Sequence, residues 1–151
     1  MKVGLCMIVK NENHIVHEVL ESTLPLIDTF CILDTGSTDN TIQIINDFYA
    51  KTNITGEVIQ SDWKGFGESR SEALKLCDGK MDYIIMIDAD DLFVFPPGCK
   101  EFLHRILDEH KPNAAIVQIK RGTLDYSRTQ IFKACDNWRY VGVLHEYPTN
   151  D

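Results

Sequence analysis

Four short strand-like runs, each closing on polar residues and separated by helical patterns, restrict this chain more than any other feature. Val3 to Val9, Phe30 to Leu33 and Tyr83 to Ile87 are nearly continuous apolar stretches, and Glu57 to Gln60 is a shorter mixed one. Runs of this length read as strands, and the apolar ones as strands buried on both faces. Between them lie three helical patterns. Ile15, Val16, Val19 and Leu20 form the first, with Asn11 expected as its N-cap and Pro25 just beyond it. Ile42, Ile44, Ile45, Phe48 and Tyr49 form the second, which Gly56 is expected to break. Arg70, Ala73, Leu74 and Leu76 form the third, after the loop Trp63-Lys64-Gly65-Phe66-Gly67. An alternating β-α-β-α-β-α-β order predicts an α/β fold, Rossmann-like, with a mostly parallel sheet flanked by helices.

The pattern changes after the fourth strand. Pro96-Pro97-Gly98 opens a helix carrying Phe102, Leu103, Ile106 and Leu107. Ala115 to Ile119 and Thr129 to Phe132 then read as two strands joined by a turn near Gly122, an antiparallel C-terminal part. Residues 1–151 are expected to form a single domain, or the trimmed core of a longer protein.

Open α/β sheets bind ligands outside the carboxyl ends of their strands. The four ends here carry Lys10-Asn11-Glu12, Asp34-Thr35-Gly36-Ser37, Ser61-Asp62 and Asp88-Ala89-Asp90-Asp91, all expected along one rim. The last is the sharpest. Residues two apart in an extended chain share a side, so Asp88 and Asp90 are expected to converge and Asp91 to point elsewhere. Two close carboxylates repel unless a cation neutralises them, and oxygen-only ligands suit Mn²⁺ or Mg²⁺. The competing reading is a solvated acidic turn.

Asp34-Thr35-Gly36-Ser37-Thr38-Asp39-Asn40-Thr41 admits plain N-capping by Ser37 or Thr38, or ligand binding by Asp34. Leu33-Asp34-Thr35-Gly36-Ser37 also resembles the catalytic segment of aspartic proteases. That fold is nearly all β, whereas a helical pattern follows here, and no second apolar-apolar-Gly strand is found. Arg70 reads either as a surface arginine or as a cation for a diphosphate or the first aspartate. In Trp138-Arg139-Tyr140-Val141-Gly142-Val143-Leu144-His145-Glu146, His145 is a candidate metal ligand and Glu146 a candidate base, against an exposed polar pair at a strand end.

The formal net charge of -8, with Lys120-Arg121 the single adjacent basic pair, argues against a nucleic-acid partner. The five cysteines form no C-x-x-C pair and several sit in apolar runs, so reduced, mostly buried thiols are expected, together with a cytoplasmic setting. No run suits a signal peptide or reaches the ~20 apolar residues of a membrane span. There is no P-loop and no G-x-G-x-x-G fingerprint.

Taken in order, Met7-Ile8-Val9-Lys10-Asn11-Glu12, Asp34 through Thr41, Trp63 through Arg70, Ile87-Asp88-Ala89-Asp90 and Val143-Leu144-His145-Glu146 resemble the family-2 glycosyltransferases of GT-A fold. The resemblance implies a nucleoside diphosphate sugar donor, UDP favoured over GDP or dTDP, and inverting transfer to an acceptor hydroxyl on a glycan, protein or lipid-linked molecule. It implies that Asp34 contacts the base, that Lys10 lines the base pocket and that Arg70 holds the donor side. Asp88 and Asp90 would form the D-x-D that touches ribose and metal, with His145 as a further ligand and Glu146 near the acceptor. Ser71 stands where that family often has Asn. The rival classes are a nucleotidyltransferase, which would show a glycine- and lysine-rich loop after its first strand, and a binding module without turnover.

Overall fold

Val3–Val9 forms β1, the strand around which the rest is laid. The computed structural model describes residues 1–121, 123–142 and 145–151, with the side chain of Arg121 left aside. The turn expected near Gly122 and the Val143-Leu144 part of the last motif lie outside the described residues. After β1 come α1 (Val16–Thr23), β2 (Thr29–Asp34), α2 (Thr41–Tyr49), β3 (Thr55–Gln60), α3 (Phe66–Leu76), β4 (Tyr83–Met86) and α4 (Cys99–His110). The chain ends in β5 (Ala114–Arg121), β6 (Leu124–Lys133), β7 (Arg139–Val141) and β8 (Tyr147–Thr149).

The main sheet has the order β3-β2-β1-β4-β6-β5. Its first four strands are parallel, and β6 runs antiparallel to both β4 and β5. β7 and β8 make a separate antiparallel pair. This is the α/β architecture that the alternating pattern predicts, with an antiparallel C-terminal part.

Alternate residues of each strand feed two cores, because side chains on a strand point to opposite faces. Leu5, Met7, Ile32 and Ile85 pack with Val19, Leu20, Ile45 and Leu107, so α1, α2 and α4 cover one face. Cys6, Leu33, Ile84 and Phe132 pack with Ala73 and Leu74, so α3 covers the other. Each fully buried Leu or Ile contributes roughly 1.5–3 kcal/mol, and these clusters hold the strand ends in register. Cys6, Cys31 and Cys77 are buried, Cys99 is partly buried and Cys135 is exposed; none forms a disulfide. Among the described residues no helix is long and apolar enough to cross a membrane.

Three local expectations are corrected. Asn11 does not cap α1, which begins only at Val16; its backbone turns left-handed at φ 55° and its side chain serves another loop. Neither Ser37 nor Thr38 caps α2, whose first residue Thr41 is instead held by Asp39 through its N–H and its hydroxyl. Gly56 does not break α2, which stops at Tyr49, but lies inside β3 opposite Phe30. A Cβ at Gly56 would stand 2.1 Å from the Phe30 carbonyl oxygen and 2.6 Å from its ring. That ring stacks on Tyr49 with centroids 3.8 Å apart, so the glycine is there to let the ring lie flat.

Candidate active site at the carboxyl rim

The ends of β1 and β2 are knitted together by side chains. Asn11 donates its backbone N–H to Ser37 Oγ at 2.9 Å, and its Oδ1 accepts from the N–H of Thr38 at 2.8 Å and Asp39 at 3.3 Å. The Glu12 N–H donates to Thr41 Oγ1 at 2.8 Å, and the Thr35 N–H to the Val9 carbonyl at 2.9 Å. Two loops 26 residues apart in sequence thereby become one rigid ledge. Lys10 stands on it, exposed.

Asp34 lies within the ledge and is fully buried. Its Oδ1 accepts from the N–H groups of Gly36 at 3.0 Å and Ser37 at 2.9 Å. Its Oδ2 is buried with no partner among the described residues. A buried carboxylate oxygen without a donor is costly, which makes Oδ2 a candidate acceptor for a ligand N–H.

The third and fourth parts of the rim meet through Arg70. Ser61 Oγ and Lys64 Nζ both donate to Glu72, at 2.9 and 2.8 Å, which pins the loop ahead of α3. α3 then projects Arg70 to Asp88, with Nη2 2.7 Å from Oδ1. The guanidinium also sits 5.3 Å from the Phe66 ring centre and 5.7 Å from that of Tyr140. Burial pushes the Tyr140 hydroxyl up to about 12, so it stays protonated at neutral pH.

Asp88, Asp90 and Asp91 each place a carboxylate oxygen within 4.8 Å of the others. The expectation that Asp91 points elsewhere is therefore corrected. β4 ends at Met86, and the Asp91 N–H returns to the Asp88 carbonyl at 3.1 Å, so the segment is a turn and strand alternation no longer applies. Arg128 of β6 donates to Asp91 Oδ2 at 3.0 Å and lies 3.5 Å from Asp88 Oδ2. Glu12 belongs to the same neighbourhood. Burial raises its pKa, His14 opposes this, and the Asp90 and Asp39 charges add to it.

A cavity of about 740 Å³ opens beside Asp88 and is lined by Arg70, Arg128, Tyr140, His145 and Glu146. The Glu146 side chain lies across the start of α3, its Cγ 3.2 Å from where a Cβ on Gly67 would be. His145 is exposed and lines the cavity, but it is not one of the three converging carboxylate residues. Gly142 carries φ 117°, and a Cβ there would meet the His145 carbonyl oxygen at 2.5 Å, so only a glycine allows His145 this close approach. Ser71 anchors the same part. Its Oγ donates to the Gly67 carbonyl at 2.7 Å and accepts the Tyr140 N–H at 2.8 Å, tying β7 to α3.

Sequence reading missed Arg128, Asn11 as a loop clamp, and Tyr140. Arg128 gave no signal, since it sits 37 residues from Asp91 with no spacing to link them. Asn11 carried only the ambiguity of a residue suited both to caps and to left-handed turns.

The profile of Glycosyl transferase family 2 matches residues 5–147. A TPR repeat-containing protein of Synechococcus elongatus is 29% identical over 150 residues, 96% of this chain and 35% of that protein. The poly(ribitol-phosphate) beta-N-acetylglucosaminyltransferase TarS of Staphylococcus aureus is 27% identical over 89 residues, 59% of this chain and 15% of its own. The crystal structure of TarS 1–349 matches with a TM-score of 0.64 at 25% identity, over 82% of this chain and 38% of that one. A mannosyltransferase of Pyrobaculum calidifontis shares the fold, with a TM-score of 0.61 at 17% identity over 80% of this chain and 36% of its own. The chain thus spans little more than a third of the length of the Synechococcus relative.

Proposed function

The chain belongs to glycosyl transferase family 2, and from that premise we propose that it moves a sugar from a nucleoside diphosphate donor to an acceptor hydroxyl, with inversion and with a divalent metal. The observation that carries this is the convergence of Asp88, Asp90 and Asp91 beside Arg70 on the rim that also holds the half-satisfied Asp34. In this reading the ends of β2 and β4 supply the base contact and the acidic cluster, and α3 supplies the cation for phosphate.

Asp34 Oδ2 accepts a base N–H, and Lys10 borders the base. The UDP preference draws support from TarS, whose crystal structure in complex with UDP-GlcNAc is 25% identical to this chain. Arg70 fixes Asp88 and faces the donor. The aspartate cluster fits a hard cation, because its donors are all carboxylate oxygens at close range. Asp88 and Asp90, with Asp91 beside them and His145 as a further candidate, would hold Mn²⁺ or Mg²⁺, which would neutralise charge on the leaving diphosphate. Glu146 takes the proton of the acceptor hydroxyl. The freed oxygen attacks the anomeric carbon from the side opposite the diphosphate, whose bond to that carbon breaks. The acceptor is a glycan, a protein or a lipid-linked molecule.

Calorimetric titration of UDP, GDP and CDP with and without Mn²⁺, on the wild type and on Asp90→Ala, tests the reading. Metal-dependent binding of UDP that Asp90→Ala abolishes is expected. A folded protein that binds none of the three nucleotides would sink it.

A further inference from the structure

Both oxygens of Asp88 face guanidinium groups, but the two arginines differ in how they are held. Arg70 is 16% exposed, stands 2.7 Å from Oδ1 and is flanked by Phe66 and Tyr140. Arg128 is 42% exposed, stands 3.5 Å from Oδ2 and also reaches Asp91 Oδ2 at 3.0 Å. The first is a fixed part of the site. The second spans two of the three carboxylates that converge, and its long side chain is half in solvent.

We propose that Arg128 is a displaceable counter-ion, which competes with the divalent metal for Asp88 and Asp91 and is released toward the diphosphate when the donor arrives. The inference rests on the donor site proposed above. A guanidinium and a divalent ion drawn to the same carboxylates repel each other and divide the same negative charge, so each weakens the other's hold. Arg128 lines the cavity beside Arg70, Tyr140, His145 and Glu146, so a guanidinium leaving Asp91 stays within that cavity. An anionic diphosphate there would draw Arg128 away from the aspartates. Metal and donor then bind with positive coupling, because each removes a cost that the other would meet.

The test is titration of Mn²⁺ alone, of UDP alone, and of each in the presence of the other. The proteins are the wild type, Arg128→Ala, Arg128→Gln, and Lys51→Ala as a variant with the same charge change on an exposed residue after α2. Arg128→Ala and Arg128→Gln are expected to bind Mn²⁺ alone more tightly, by on the order of five-fold as befits a partly exposed pair, with Lys51→Ala near wild type. The tightening of Mn²⁺ by UDP should shrink in both Arg128 variants. A disrupted fold would weaken metal binding, so a gain cannot arise from structural damage. Mn²⁺ affinity unchanged or lowered in both variants, while wild type still binds UDP with Mn²⁺, would overturn the role of Arg128 and leave the donor site standing. Absence of Mn²⁺ binding in every protein, with or without UDP, would overturn both.

Discussion

Arg70 and Asp88 form the most enclosed ion pair of the rim, 2.7 Å apart with 16% and 27% of their side chains exposed. The pair joins α3 to the end of β4 and so fixes where the acidic turn begins. A charge-assisted bond in such a half-buried setting is stronger than a surface pair, and removing one partner strands the other.

Arg70→Ala is therefore expected to lower stability by about 1–3 kcal/mol in urea unfolding and to weaken Mn²⁺-dependent UDP binding together with it. Arg70→Lys keeps the charge but loses the planar fork and its place between two rings, so it should recover stability only in part. Wild-type values for both measures in Arg70→Ala would remove this pair from the site.

Asp34→Asn should separate stability from binding. The amide oxygen can still accept from the Gly36 and Ser37 N–H groups, and the amide nitrogen replaces the partnerless Oδ2. Unfolding free energy is expected to stay the same or rise. UDP affinity is expected to fall roughly ten- to hundred-fold, the loss of one charge-assisted acceptor. Equal losses in stability and affinity would make Asp34 a structural residue.

Asp28 gives the fold an acid-sensitive clasp at the opposite end of β1. It accepts the Val3 N–H at 2.9 Å, pairs with Lys100 at 2.7 Å and faces His104 at 3.3 Å. Burial pushes its pKa up, but the Lys100 and Val3 hydrogen bonds and the nearby positive charges outweigh this and hold it below the ordinary carboxylate value. A lowered folded pKa means stability that is full above the unfolded value, about 3.9, and lost as pH falls through the folded one. The urea midpoint should thus drop below about pH 4, and Asp28→Asn should flatten that limb while lowering the plateau at pH 7. An identical acid limb in the variant would assign the effect to other carboxylates.

Gly56→Ala tests the close approach of β3 to Phe30. The added methyl has no room between the Phe30 carbonyl and its ring, so strands β2 and β3 must part or the ring must leave Tyr49. A loss of roughly 1–3 kcal/mol is expected in thermal or urea unfolding, with UDP affinity of the folded fraction little changed. Stability equal to wild type would show that β3 yields freely.

Much of the fold is legible because its signals are local. Continuous apolar runs mark β1, β2 and β4, the spacing of Val16, Val19 and Leu20 or of Ile45 and Tyr49 marks the covered helix faces, and polar residues at each strand end mark the rim. Alternation of strands and helices then leaves few topologies. The pairing of Asp88 with Asp90 is likewise local, and so two members of the acidic cluster can be read directly. What tertiary structure alone decided is nonlocal or depends on a turn. Asp91 joins the cluster because the chain leaves the strand at Met86. Asn11 clamps the Asp34 loop because β1 and β2 are neighbours in register. Gly56 belongs to a strand because an aromatic ring needs its empty face. Arg128 meets Asp91 because β6 folds back beside β4. Such contacts join residues far apart in sequence, and periodicity within one segment carries no record of which other segment will pack against it.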